Sequence, residues 1–137
     1  MSTTLQNPTK LFPMFVTDKL AETKAFYVDK LGWTATYDTP GYLQVRSDDR
    51  EGPELAFMAP EGGPDGALPS FPGRGVLVSV PVPDADVHHA AVRERGVEPR
   101  SSPKLQPWGW RSYHVADPNG VMLDFFHVAA PPAMAPN

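Results

Sequence analysis

The chain lacks cysteine altogether, which excludes disulfides and any thiolate metal site. It also lacks a basic excess. Its 12 Lys and Arg stand against 16 Asp and Glu, a net charge of −4, and the cations are scattered. No nucleic-acid partner is expected from that surface. Long apolar runs are missing too. Met1–Lys10 holds no segment of signal-peptide length, and nothing approaches the roughly 20 apolar residues of a membrane span. A cytoplasmic protein with no membrane partner is the expectation. No serine sits in a Gly-x-Ser-x-Gly elbow, and Gly73-Arg74-Gly75 leads into a strand rather than a helix. Neither nucleophile-elbow chemistry nor a phosphate loop is indicated. The mild acidic excess fits ordinary solubility, or at most a cationic ligand.

Proline, by contrast, is abundant at 17 of 137 residues, and it clusters. Residues 1–9 read as an N-terminal arm, 61–73 as a Gly/Pro-rich linker and 129–137 as an Ala/Pro tail. Between them lie two segments, 10–60 and 74–128, each patterned as βαβββ. In the first, Leu11–Val16 is an apolar strand interrupted by Pro13. Thr17 and Asp18 are helix N-cap types, a helix follows over Leu20–Leu31, and Gly32 stops it. Trp33–Asp38, Tyr42–Arg46 and Glu54–Ala59 alternate as strands. In the second, Val76–Val80 is a strand and Pro83-Asp84 starts a helix whose apolar stripe is Val87, Ala90 and Ala91. Gly96 stops that helix. A weakly marked strand lies between Gly96 and Lys104, then Trp110–Ala116, the turn Asp117-Pro118-Asn119-Gly120 and a last strand, Val121–Val128. Val16 and Val80 end their strands 64 residues apart, and Gly32 and Gly96 stop their helices at the same spacing. The shared offset marks an internal repeat.

Three pieces of the first segment, Phe15-Val16-Thr17-Asp18, Ala25-Phe26-Tyr27 and Leu31-Gly32-Trp33, resemble the opening of the glyoxalase/bleomycin-resistance/extradiol dioxygenase (vicinal oxygen chelate) superfamily. Asp117-Pro118-Asn119-Gly120 with Leu123-Asp124 is similar to its close. Gln106-Pro107-Trp108-Gly109 with Arg111 resembles a loop of the bleomycin-resistance proteins. The likeness spans about residues 10 to 128. It implies an α+β fold of two βαβββ modules forming curved mixed sheets around a cup, and a homodimer in which modules often pair across chains.

Enzymes of that superfamily place metal ligands early in each half's first strand and in each half's last. Carried over by position, these slots fall on Leu11, Gly75, Glu54 and Asp124. Leucine and glycine offer no donor atoms, and two carboxylates fall short of a catalytic set. No metal, no other cofactor and no catalytic residue is therefore expected. Adjacent His88 and His89 point about 100° apart on a helix, cannot share one ion facing the cup and read as solvated. His127 reads as structural or exposed. His114, between aromatics, is a candidate for the cup or an ordinary surface or core histidine.

With Glu54 and Asp124 marking the cup side, alternation adds Ala56 and Met58, and Met122 and Phe126. It adds Tyr42, Gln44 and Arg46, and it assigns Pro13 and Phe15 with Leu11, and Leu77 and Ser79 with Gly75. Phe12, Met14, Val16, Leu55, Phe57, Val76, Val78, Leu123 and Phe125 then form the helix-packed core. The candidate ligand-binding set is Phe15, Tyr42, Gln44, Glu54, Met58, Trp108, Trp110, His114, Asp124 and Phe126. An apolar cup with a few polar groups suits a small molecule. Trp108 and Trp110 suit stacking on a flat ligand, and equally suit a dimer interface. The leading expectation is non-catalytic binding and sequestration of a planar or glycosylated antibiotic, giving self-resistance. The alternatives are a divergent lyase, isomerase or dioxygenase acting on a small metabolite, and a dimer whose cup its own side chains fill.

Overall fold

The computed structural model describes residues 3–47, 50–60 and 69–130. Most of the linker and nearly all of the tail expected from the sequence lie outside these residues. The elements run β1 (Met14–Val16), α1 (Leu20–Lys24) continuing as a π-helical turn (Ala25–Lys30), β2 (Thr34–Thr39), β3 (Tyr42–Arg46) and β4 (Glu54–Met58). Then come β5 (Leu77–Pro81), α2 (Ala85–Glu94), β6 (Lys104–Leu105), β7 (Trp110–Ala116) and β8 (Met122–Val128). They form two four-stranded mixed sheets with matching orders, β1-β4-β3-β2 and β5-β8-β7-β6. In each, the first strand runs parallel to the last and the remaining pairs are antiparallel. The expected pair of βαβββ halves is present.

Each sheet buries one face under its helix. Tyr27, Leu43, Val45, Leu55 and Phe57 of the first half and Val80, Tyr113, Val115, Leu123 and Phe125 of the second are 5% exposed or less. All ten belong to one apolar cluster. Burying a large apolar side chain fully is worth about 1.5–3 kcal/mol. The π turn serves this core. Leu31 N donates to Phe26 O, five residues back, and the widened turn brings adjacent Phe26 and Tyr27 inward together. Gly32 and Gly96 both take positive φ, 77° and 81°, and end their helices as expected.

The second helix departs from expectation. Val87 is 65% exposed, and the inward stripe is Ala85, His88, His89 and Val92. Neither histidine is simply solvated. His88 packs 4.3 Å from the Phe125 ring with Nδ1 against the Tyr113 hydroxyl, and His89 meets Tyr113 edge-on. Burial lowers the pKa of both, and the Arg93 charge lowers that of His89 further. Asp84 caps α2 as expected, accepting from Asp86 N and Val87 N. His127 is structural: its Nδ1 accepts from Ala85 N at 2.9 Å. At the first helix the cap residue is Lys19 without a side-chain bond, while Thr17 Oγ1 accepts from Lys19 N.

The halves are fastened through the Asp117–Gly120 turn. Tyr27 OH donates to Asp117 Oδ2 at 2.8 Å, Thr17 Oγ1 donates to Asn119 Oδ1 at 2.7 Å, and Asn119 Nδ2 donates to Thr23 Oγ1 at 3.0 Å. Asn119 N and Val121 N add bonds to Asp117 Oδ1, closing the turn on itself. Gly120, at φ +93°, lies so close to Gly73 that a Cβ would stand 2.3 Å from the Gly73 carbonyl oxygen. Only glycine fits there.

Candidate functional site

The faces turned away from the helices carry the polar residues. On the first sheet, β4 presents Glu54, Ala56 and Met58, and register sets Arg46, Gln44 and Tyr42 of β3 beside them. Their side chains form a connected row. Lys10 Nζ contacts Glu54 Oε2, Gln44 Nε2 donates to Glu54 Oε1 at 2.8 Å, and Tyr42 OH donates to Gln44 Oε1 at 2.7 Å. The Glu54 side chain is only 7% exposed, and these partners satisfy it. Burial, with Tyr37 nearby, raises the Tyr42 pKa, so the hydroxyl remains a neutral donor. Arg46 Nε is buried with no hydrogen-bond partner. Lys10, Phe12, Tyr37, Tyr42 and Gln44 bound an open groove of about 400 Å³.

The open face of the second sheet is aromatic around a carboxylate. Trp110 lies flat on Phe126, centroids 3.6 Å apart and planes 8° from parallel. Trp108, half exposed, meets Trp110 nearly edge-on at 6.4 Å. Register places His114 opposite Asp124 on β8, and Ser79 beside it on β5. Ser79 Oγ donates to Asp124 Oδ2 at 3.0 Å. Asp124 Oδ1 lies 3.3 Å from His114 Nε2 but outside hydrogen-bonding geometry, so this buried oxygen remains without a hydrogen bond. Ser112 accepts from Gln106 Nε2 at 3.1 Å, which fixes the start of the tryptophan loop against β7.

Of the candidate set, Tyr42, Gln44, Glu54 and Met58 share the first open face. Trp110, His114, Asp124 and Phe126 share the second, with Trp108 at its rim. No hydrogen bond, ion pair or ring contact among the described residues joins these two groups. Phe15 belongs to neither. It pairs with Phe57, stacks on it at 5.7 Å and is buried on the helix side. The phase assumed for β1 is therefore reversed: Met14 and Val16 pair with Ala56 and Met58 on the open side, and Phe12 lines the groove there. The cause is the shortness of the strand. It holds three residues, and Leu11, 88% exposed, precedes it.

Lys10, Ser79 and Ser112 were missing from the candidate set although they touch or flank its members. Alternation already placed Ser79 on this face, and alternation along β7 from His114 finds Ser112. Nothing in the sequence ties Lys10 to Glu54 across 44 residues.

The slots that hold metal in the related enzymes do not suit one here. Leu11 and Gly75 supply no donor atom, and Glu54 is engaged by Lys10 and Gln44. Among the described residues no three His, Cys, Asp or Glu side chains gather as a ligand set. The arrangement instead offers flat apolar surface beside hydrogen-bond acceptors, which suits stacking and donor recognition.

Residues 11–125 match the sequence profile of the Glyoxalase/Bleomycin resistance protein/Dioxygenase superfamily. No curated protein matches the chain. Among solved structures, a glyoxalase/bleomycin resistance protein/dioxygenase from Nocardioides is 27% identical, with 92% of this chain and 87% of that one covered and a TM-score of 0.73. A superfamily member from Sphaerobacter thermophilus is 23% identical, with 87% and 97% covered, at 0.67. A bleomycin-binding protein complexed with bleomycin is 20% identical, with 88% and 98% covered, at 0.66. The last two likenesses show a shared fold.

Proposed function

This chain belongs to the glyoxalase/bleomycin resistance protein/dioxygenase superfamily, and on that premise we propose that it binds and sequesters a planar or glycosylated antibiotic without transforming it. Removal of free drug would then give self-resistance in the cytoplasm. The observation that carries this reading is the second open face. The Trp110–Phe126 stack and the half-exposed Trp108 flank a buried carboxylate oxygen with no hydrogen bond. Leaving such an acceptor unsatisfied costs on the order of 1–3 kcal/mol, which a ligand N–H group would recover if His114 turned aside to admit it. Offset stacking adds about 0.5–1.5 kcal/mol per aromatic pair beyond area burial. The likeness to a bleomycin-binding protein supports the same ligand class.

In this reading a homodimer completes the site, the first open face of one copy closing over the second open face of another. Glu54 and Tyr42 then face the tryptophans across the ligand. The test is titration of intrinsic tryptophan fluorescence with bleomycin and other DNA-damaging natural products, followed by recovery of the compound. Saturable quenching with the compound unchanged is expected. A consumed compound would favour a divergent lyase, isomerase or dioxygenase. The His114–Asp124 pair favours that second reading, since an imidazole 3.3 Å from a buried carboxylate is a candidate general base.

A further inference from the structure

A further cleft is lined by none of the residues of the two open faces. It has a volume of about 600 Å³ and sits between the last turns of α2 and the loop 97–102 leading to β6. Arg93 from the helix and Arg100 from the loop both line it, with His89, Ser101 and Ser102. Glu98 is the one carboxylate in the lining. In a chain of net charge −4, this is a local reversal of sign.

Three cations elsewhere are paired with carboxylates. Arg111 makes a forked bond to Asp86, Lys24 meets Asp38, and Lys10 meets Glu54. Among the described residues neither Arg93 nor Arg100 has a side-chain hydrogen bond or an ion pair. The Arg93 charge is felt within the cleft, where it helps keep His89 neutral. The loop is also held in place. Arg100 N donates to His114 O at 2.8 Å, and Ser101 Oγ accepts from His114 N at 3.0 Å. Ser101 also lines the cleft, and the bond from His114 N leaves its hydroxyl proton free to donate. The helix end lowers the positive potential only modestly, because Arg95 N, Gly96 N and Val97 N already cover its last carbonyls.

We propose that this cleft binds the phosphate group of a small phosphate monoester, with Arg93 and Arg100 as guanidinium clamps and Ser101 and Ser102 as hydroxyl donors. Two forks and two hydroxyls match a tetrahedral dianion better than a planar carboxylate, and guanidinium is the group suited to such forked recognition. The volume exceeds that of phosphate alone and leaves room for the ester substituent. The cleft shares no lining side chain with the open faces, and phosphate binding is titrated without antibiotic, so the two readings are tested separately.

The test is a titration of the full chain with inorganic phosphate, read by amide ¹H–¹⁵N spectra at constant ionic strength with chloride as the balancing salt. Saturable shifts confined to residues 96–102 and the end of α2 are expected. Arg93→Gln and Arg100→Gln should each weaken the apparent affinity about ten-fold, with the remaining spectrum confirming the fold. Glycerol phosphate should bind at least as tightly as inorganic phosphate. Shifts that do not saturate, that chloride reproduces, or that persist in the double variant would overturn the proposal.

Discussion

The Tyr27 hydroxyl of the first half lies 2.8 Å from Asp117 Oδ2 of the second, a buried bond across 90 residues of chain. Tyr27 is fully buried, and its pKa is raised well above the usual tyrosine value by desolvation and by the Asp117 charge. The hydroxyl therefore stays protonated and donating. Tyr27→Phe should cost about 1.5–3 kcal/mol, the range for a hydrogen bond to a charged group, read as a lower urea midpoint. An unchanged midpoint would mean this bond adds nothing, and that the Asn119 bonds to Thr17 and Thr23 and the apolar packing hold the halves.

Asp117 should impose a pH dependence of unusual sign. Burial raises its pKa above 3.8 in the folded chain, although the Tyr27, Val121 and Asn119 donors oppose the rise. The native state then binds more protons than the unfolded state over the window beginning near that value. This group's contribution to stability therefore declines as pH rises through the window and levels off above the folded pKa. Asp117→Asn should abolish that component, whatever it does to absolute stability. A stability–pH curve identical in shape to that of the parent would refute it.

His88 should act in the opposite direction. Its pKa is lowered by burial from 6.5, so the unfolded state binds the extra proton in the window below that value. Stability is complete above about pH 6.5 and is lost as pH falls towards the folded pKa. His88→Gln should flatten this acid limb in thermal melts taken between neutral and mildly acidic pH. A limb of undiminished slope would assign the effect to other groups.

The two loop tryptophans should separate binding from folding. Trp108 is 44% exposed, and Trp108→Ala should change unfolding free energy by no more than about 0.5 kcal/mol while weakening antibiotic binding. Trp110→Ala removes the Phe126 stack and should cost about 1–2 kcal/mol as well as binding. Lost stability with unchanged binding in both variants would make the loop a packing feature.

Much of this was readable from the residues. Tyr42–Arg46 alternates strongly enough that its limits and faces agree between sequence and structure, and the limits of Trp110–Ala116 agree as well. Glu54 and Asp124 stand on the open faces, as their place in the last strands implied. Phe15 was not readable, because a strand of three residues sets no phase and an aromatic suits either face. The α2 stripe was misread for a related reason. Val87 looks apolar and His88 polar, yet contact with Tyr113 and Phe125 gives the histidine the inward position. The Lys10–Glu54 contact depends on how an arm without regular structure lies over a sheet, which no local pattern encodes.

The turn that fastens the halves shares no side chain with either open face. Tyr27, Thr17, Thr23, Asp117 and Asn119 hold the molecule together, while Tyr42, Gln44, Trp110 and His114 look outward from strands whose other faces form the core. Such a division lets a lineage exchange its outward residues, and so what it recognises, without renegotiating its fold. A library randomised at those four positions should retain folded members at a far higher rate than one randomised at the fastening residues.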